Sequence, residues 1–230
     1  HEFTRKGGGH AYLPIVASGK NACVLHYISN DKPCQDGDLL LLDVGAEYGN
    51  YCADMSRTIP VSGKFNPRQR QVYEAVLRLL KAGMALLVPG ITNEKWHGEI
   101  CKLMEQELIG LGLVTEEDVK KQDPANPVFF KYYMHGSGHF LGLDVHDVGS
   151  RQEVFRKGMV LTCEPGIYIP KGSPCDPKWW DIAVRIEDDV VIGKADCEIL
   201  SKAAPRKASD VESMTAKKSP FNNMSFPSLK

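Results

Sequence analysis

Apolar and polar positions divide the chain into short strands, two long helices and a glycine-rich connection. Leu39-Leu40-Leu41-Leu42-Asp43-Val44-Gly45 is apolar up to its aspartate, which predicts a buried strand entered through the turn Asp36-Gly37-Asp38. A turn at Tyr48-Gly49-Asn50 sends the chain back as a second strand over residues 51–59. Asn66 and Pro67 suit the N-cap and first position of a helix, whose apolar face is Val72, Val76, Leu79, Leu80, Gly83 and Leu87. Pro89-Gly90 ends it. Residues 92–111 form a second amphipathic helix carrying Trp96, Ile100, Leu103, Met104 and Leu108, closed by Gly110 and Gly112.

The flanks are less regular. Residues 1–6 read as the last turn of a helix stopped by three glycines, and residues 11–27 as two short strands around Ser18-Gly19-Lys20-Asn21. Residues 123–127 are irregular, and strands resume at Val128. From Ser201 to Lys230, Ser, Lys, Pro and Asn dominate and the last apolar residues stand alone, so a polar, mobile tail is expected.

A faint internal repeat pairs Gly37-Asp38-Leu39-Leu40-Leu41-Leu42-Asp43-Val44-Gly45 with Gly158-Met159-Val160-Leu161-Thr162-Cys163-Glu164-Pro165-Gly166. His26 precedes the first carboxylate much as His146 precedes the second. Each half offers a histidine and then a strand ending in a carboxylate, as a duplicated half-domain would.

Candidate chemistry concentrates at residues 134–149, M-H-G-S-G-H-F-L-G-L-D-V-H-D-V-G, which hold three of the seven histidines, His135, His139 and His146. Gly136 and Gly138 argue against a helix there, and Phe140, Leu141, Leu143 and Val145 fit a bent strand or loop lining a cleft. If Tyr48 and Gly49 are the tip of a tight hairpin, Asp43 and Asp54 lie opposite each other. Cross-strand side chains are rooted roughly 5 Å apart. Two carboxylates at that spacing repel unless a proton or cation sits between them. Glu164 ends a strand at Met159–Cys163, and Arg185 and Glu187 share one face of another. Asp188 and Asp189 are read as a solvated turn. Four carboxylates with an imidazole suit hard, labile ions, and exceed what one divalent ion needs, which points to a two-metal hydrolytic centre.

Composition narrows the partners. The 230 residues carry a net charge of −1 with 43% hydrophobic and 25% charged positions, giving no reason to expect nucleic acid or an anionic membrane. No apolar run reaches the roughly 20 residues of a membrane span. Seven scattered cysteines without a C-x-x-C pair fit a reducing compartment, so a cytoplasmic location is expected. A start at His1 in a polar stretch reads as a fragment or a processed product.

Five local words occur in order: I-V-A-S-G-K-N-A-C-V-L-H-Y (15–27), D-V-G-A-E-Y-G-N-Y-C-A-D-M-S-R-T (43–58), H-G-S-G-H-F-L-G-L-D-V-H-D-V-G (135–149), V-L-T-C-E-P-G-I-Y-I (160–169) and V-R-I-E-D-D-V-V-I (184–192). Together they resemble the pita-bread metallopeptidases, and within them the aminopeptidase P and prolidase branch. The resemblance implies an α+β fold of two pseudo-symmetric halves around a curved, mainly antiparallel sheet, with helices on its outer face. Residues 1–200 would be the catalytic domain, its first half truncated and an upstream domain missing.

The same resemblance implies the roles. Asp43, Asp54, His139, Glu164 and Glu187 would bind two divalent ions, Mn²⁺ first, with Co²⁺ or Zn²⁺ as alternatives. Glu164 would also serve as general base toward a metal-bridging hydroxide. His26, His135 and His146 would bind substrate and stabilise the tetrahedral intermediate, and Arg185 and Tyr168 would support the metal shell. Gly136 and Gly138 would leave room for a passing peptide. The implied substrates are peptides with proline second, handled by a homo-oligomer in the full-length protein. A prolidase limited to Xaa-Pro dipeptides is the alternative within enzymes, and a non-catalytic peptide-binding pita-bread domain the alternative outside them.

Overall fold

The computed structural model describes residues 2–6 and 8–218. In chain order the elements are α1 (Glu2–Arg5), β1 (Gly9–His10), β2 (Ile15–Ser18), β3 (Leu39–Asp43), β4 (Ala46–Tyr48), β5 (Tyr51–Cys52) and β6 (Ser56–Pro60). They continue with α2 (Pro67–Ala85), α3 (Asn93–Gly110), α4 (Glu116–Lys121), β7 (Val160–Cys163), β8 (Gly166–Ile169), β9 (Ile182–Arg185), β10 (Asp188–Ile192), β11 (Cys197–Ile199) and α5 (Ala208–Thr215). Among the described residues every strand pairing is antiparallel, in the groups β2-β3-β6, β11-β10-β7, β8-β9 and β1-β4-β5.

The two long helices begin where local chemistry dictates. Asn66 accepts from the backbone N–H groups of Arg68 and Gln69, and the Gln69 side chain returns to the Asn66 N–H, which closes a capping box ahead of Pro67. Thr92 caps α3 through Lys95. The buried faces, Val72, Val76, Leu79 and Leu80 on α2 and Trp96, Ile100, Met104 and Leu108 on α3, pack with β7, β9 and β10 into the main core. A smaller core of Ile15, Ala17, Leu41, Tyr168 and Ala183 joins β2 and β3 to β8 and β9.

The two half-sheets are stitched at one seam. Thr58 Oγ1 on β6 donates to the Arg185 carbonyl and accepts from the Arg185 N–H. The Glu187 N–H reaches the Ser56 carbonyl. The sequence repeat is visible on either side, since β3 delivers Asp43 at its last position and β7 delivers Glu164 just after its own.

Several expectations are corrected. Residues 11–27 supply one strand, β2, and then a 3₁₀ turn at Gly19–Cys23, whose glycine takes a positive φ of 56°. The expected strand over residues 51–59 is two, β5 and β6. Asp43 pairs with Ser56, not Asp54, because β4 and β5 form a separate hairpin between them. Strands do not resume at Val128, which opens a 3₁₀ turn at Val128–Lys131, and residues 134–149 form a loop laid along β7 by an isolated bridge, Phe140 to Leu161, and backbone bonds such as Thr162 N–H to the His139 carbonyl.

Asp188 and Asp189 are not in a solvated turn. Both are buried on β10, Asp188 paired with Arg57 and Arg206. The expected tail is also ordered over its described part: α5 buries Ala208 and Val211 in the main core, and Glu212 bonds Arg70 and the Phe65 N–H. Residues 219–230 lie outside the described residues. Among the described residues no helix is long and apolar enough to cross a membrane.

Candidate metal site

The seam between the half-sheets is where the carboxylates meet. Asp43 and Asp54 come from the first half, while Glu164 and Glu187 come from the second, Glu187 in the gap between β9 and β10. The glycine-rich loop lays His139 across them, its N–H on Thr162 Oγ1, and the Glu164 N–H is fixed by the Ser137 carbonyl. One cavity of about 290 Å³ is lined by all five expected ligands together with His26, His135, His146 and Arg185. Tyr168 alone of the expected set does not line it. It stands behind, fully buried, within the smaller core.

The donor set fits a divalent ion. Ligand atoms of Asp54, His139 and Glu187 lie within 4.8 Å of one another, close enough to share one. His139 spends Nδ1 on the Phe140 carbonyl at 3.0 Å, which leaves Nε2 to face the carboxylates, 3.4 Å from Asp54 Oδ2 and 3.9 Å from Glu164 Oε1. Asp43 is outside that tight trio. Its Oδ2 pairs with Arg185 at 2.5 Å, and its Oδ1 accepts from Tyr12, whose hydroxyl also reaches Asp54 at 2.5 Å.

Charge crowding shows in the proton affinities. Burial pushes Glu164 up to about 7, with His139 and Arg185 opposing and Asp54 and Asp43 reinforcing. Burial, then Asp54 and Glu164, hold Glu187 well above the ordinary carboxylate range. Burial also raises Asp43, against the pull of Arg185. At Asp54 the hydrogen bonds from His139 and Tyr12 outweigh burial and bring it down. Buried acids that raise one another in this way are what a cation would relieve.

The histidines divide by environment. His26 and His146 are exposed on the cavity wall, His146 with its ring 4.3 Å from that of His139. His135 is enclosed: Arg185 donates to Tyr168 Oη at 2.9 Å, so the Tyr168 O–H donates to His135 Nε2 at 2.9 Å, and Nδ1–H donates to the Gly136 carbonyl. Burial and the Arg185 charge push it down to about 3, so it is neutral.

Gly138 does not make room for a peptide. A side chain there would meet the Thr162 carbonyl oxygen at 2.1 Å, so the glycine lets the loop lie against β7. At Gly136 a side chain would make only ordinary contact, 3.7 Å from the Gly138 carbonyl oxygen.

Sequence reasoning missed a supporting shell. Tyr12 holds Asp43 and Asp54. Ser56 Oγ donates to Glu187 at 2.7 Å while accepting from Arg185 Nε at 2.8 Å. Asp189 Oδ2 accepts from the Asp54 N–H at 3.1 Å, while its buried Oδ1 has no hydrogen-bond partner among the described residues. Ser56 stands two positions after Asp54 inside a recognised word, a signal that was present. Tyr12 carried none, because its partners are more than 30 residues away.

Carboxylates from both half-sheets grouped around one histidine are the donor set a metallohydrolase would need. The chain belongs to metallopeptidase family M24, which matches it over residues 1–194. It is 42% identical to the Xaa-Pro aminopeptidase of Haemophilus influenzae over 93% of its length and 50% of the relative's. To Xaa-Pro aminopeptidase 3 of Homo sapiens it is 39% identical, over 91% of the chain and 41% of the relative. The solved structure of Escherichia coli aminopeptidase P with the inhibitor Pro-Leu superposes with a TM-score of 0.87 at 39% identity, covering 94% of this chain and 50% of that one. The expected pita-bread fold is therefore the fold of this chain. It spans about half the length of the curated relatives it matches.

Proposed function

We propose that this chain is the catalytic part of a dinuclear-metal aminopeptidase that removes the first residue from peptides with proline second. The observation that carries the reading is the convergence of Asp43, Asp54, His139, Glu164 and Glu187 on one cavity. The names of the relatives supply the substrate class. Two divalent ions, Mn²⁺ by the oxygen-rich donor set, would be held by these five residues and supply Lewis acidity and an activated water.

The chain's own groups supply the rest. Glu164, partly buried and high in proton affinity, is suited to take a proton from the attacking water and return it to the leaving nitrogen. His26 and His146 have ring edges free toward the cavity and would meet the substrate and its developing oxyanion. His135 has both nitrogens engaged, so its contribution is to hold Tyr168 and the wall of the cavity. Arg185 neutralises part of the acid cluster through Asp43. The cleft widens beside Leu13, Ile28 and Val145, which gives apolar walls for an uncharged peptide segment.

Metal analysis of the purified chain and release of the first residue from an Xaa-Pro-Yaa peptide test the reading. A folded, metal-loaded chain that leaves such peptides intact would refute it. Cleavage of Xaa-Pro dipeptides in preference to tripeptides would make the chain a prolidase.

A further inference from the structure

Arg57, on β6, is buried, and every N–H of its guanidinium is used. Nε donates to the Pro205 carbonyl at 2.9 Å, and Nη1 donates to the carbonyls of Ser56, at 2.8 Å, and Glu187. Nη2 donates to Asp188 Oδ1 at 2.7 Å and to the Ala204 carbonyl at 3.4 Å. Asp188, with no exposed surface, is completed from the same C-terminal segment by Arg206 Nη1 at 3.1 Å and Ser201 Oγ at 2.5 Å. The segment is tied down in turn, for Tyr73 donates to the Arg206 carbonyl and Glu212 on α5 binds Arg70.

The two carbonyls taken by Nη1 belong to the pair of residues whose side chains meet at the site, since Ser56 Oγ donates to Glu187 Oε2. Glu187 belongs to neither β9 nor β10, so no ladder fixes it from both sides. Its N–H donates to the Ser56 carbonyl and its own carbonyl accepts from Arg57, and the same Nη1 also donates to that Ser56 carbonyl. A planar five-donor fork makes these bonds at once, which an ammonium cannot do.

We propose that residues 201–206 are a structural part of the metal site, and that Arg57 is the positioning residue through which they fix Glu187. The proposal rests on the reading of Glu187 as a ligand. It predicts that loosening this junction weakens metal binding beyond what loss of stability explains, whereas loosening α5 elsewhere does not.

The test compares Arg57→Lys with Glu212→Gln, which removes a charge from the α5 contact away from Glu187. Mn²⁺ affinity is measured by titration calorimetry, and amide exchange over residues 186–189 on metal-free protein. Arg57→Lys is expected to weaken Mn²⁺ binding about tenfold and to speed exchange at 186–189 by a similar factor. Glu212→Gln is expected to lower the melting temperature with both readouts within about twofold of the parent. Ser201→Ala, a milder change at the same junction, should move both readouts in the direction of Arg57→Lys. Arg57→Lys with parental Mn²⁺ affinity and parental exchange, whatever its melting temperature, would overturn the proposal. A parent chain that takes up no Mn²⁺ would refute the metal reading instead, and the exchange comparison on metal-free protein would still decide the role of Arg57.

Discussion

Tyr168 and His135 meet through a single hydrogen bond of 2.9 Å whose direction is fixed by a third residue. Because Arg185 already donates to the Tyr168 oxygen, the tyrosine must give its proton to His135, and the imidazole must carry its own on Nδ1. Tyr168→Phe removes the donor and leaves His135 Nε2 and one Arg185 N–H without their partner in a buried place. A lost buried hydrogen bond of this kind costs about 1–3 kcal/mol. The expected outcome is a drop of about tenfold in kcat/KM with both metals retained, measured by steady-state kinetics alongside metal analysis. Unchanged kinetics would mean that the tautomer of His135 has no bearing on turnover.

Glu164 and His146 separate ligation from substrate handling. Glu164→Gln keeps the shape but removes the base and weakens a ligand, so cleavage should fall by at least about 10³ and metal affinity should fall with it. His146→Ala removes an exposed imidazole with no hydrogen bond to any of the five ligands, so turnover should fall about 100-fold with metal content unchanged. Metal loss in His146→Ala would show that ligand and substrate-facing positions have been exchanged in this assignment.

Much of this site could be read from the sequence because its candidate ligands lie in short words with their own turns. Asp43 and Glu164 each end an apolar strand, and His139 stands among glycines. The capped starts of α2 and α3 are equally local. What stayed hidden depends on partners far along the chain. Asp188 and Asp189 carry charge and so read as solvated, and only folding brings Arg57, 131 residues away, against Asp188. The helix α5 was hidden because it has two buried apolar residues and no side-chain cap, so its docking rests on Arg70 and Arg57 from the body of the fold.

The metal-free chain should lose stability as pH rises. Glu164 and Asp189 are each pushed up to about 7, from ordinary values of 4.5 and 3.8, in both cases by burial first. The folded state therefore holds protons that the unfolded chain has released. Its contribution is fully present below the unfolded values and disappears as pH rises through about 7. Bound cations would replace those protons. Thermal melts at about pH 5 and about pH 8 should show a lower melting temperature at the higher pH without metal, and the larger gain on adding Mn²⁺ at that pH. A gain independent of pH would argue that the cation does not bind among these acids.

Gly138 and Gly136 should respond oppositely to alanine. A methyl at Gly138 would sit 2.1 Å from the Thr162 carbonyl oxygen and 3.0 Å from the Trp96 ring, so either the loop or β7 must move. Trp96 cannot give way, since it is buried with its Nε1 bonded to the Gly83 carbonyl, and β7 is held by its ladder with β10. Overpacking of this kind costs about 1–3 kcal/mol, and here it also displaces His139 and its hold on Thr162. Gly138→Ala should therefore melt earlier and bind Mn²⁺ more weakly. At Gly136 the nearest atom to an added methyl is 3.7 Å away and the φ angle is not positive, so Gly136→Ala should leave the melting temperature within about 1 °C of the parent. Equal effects at the two positions, read by thermal melts and Mn²⁺ titration, would mean that the loop does not rest on β7 as described.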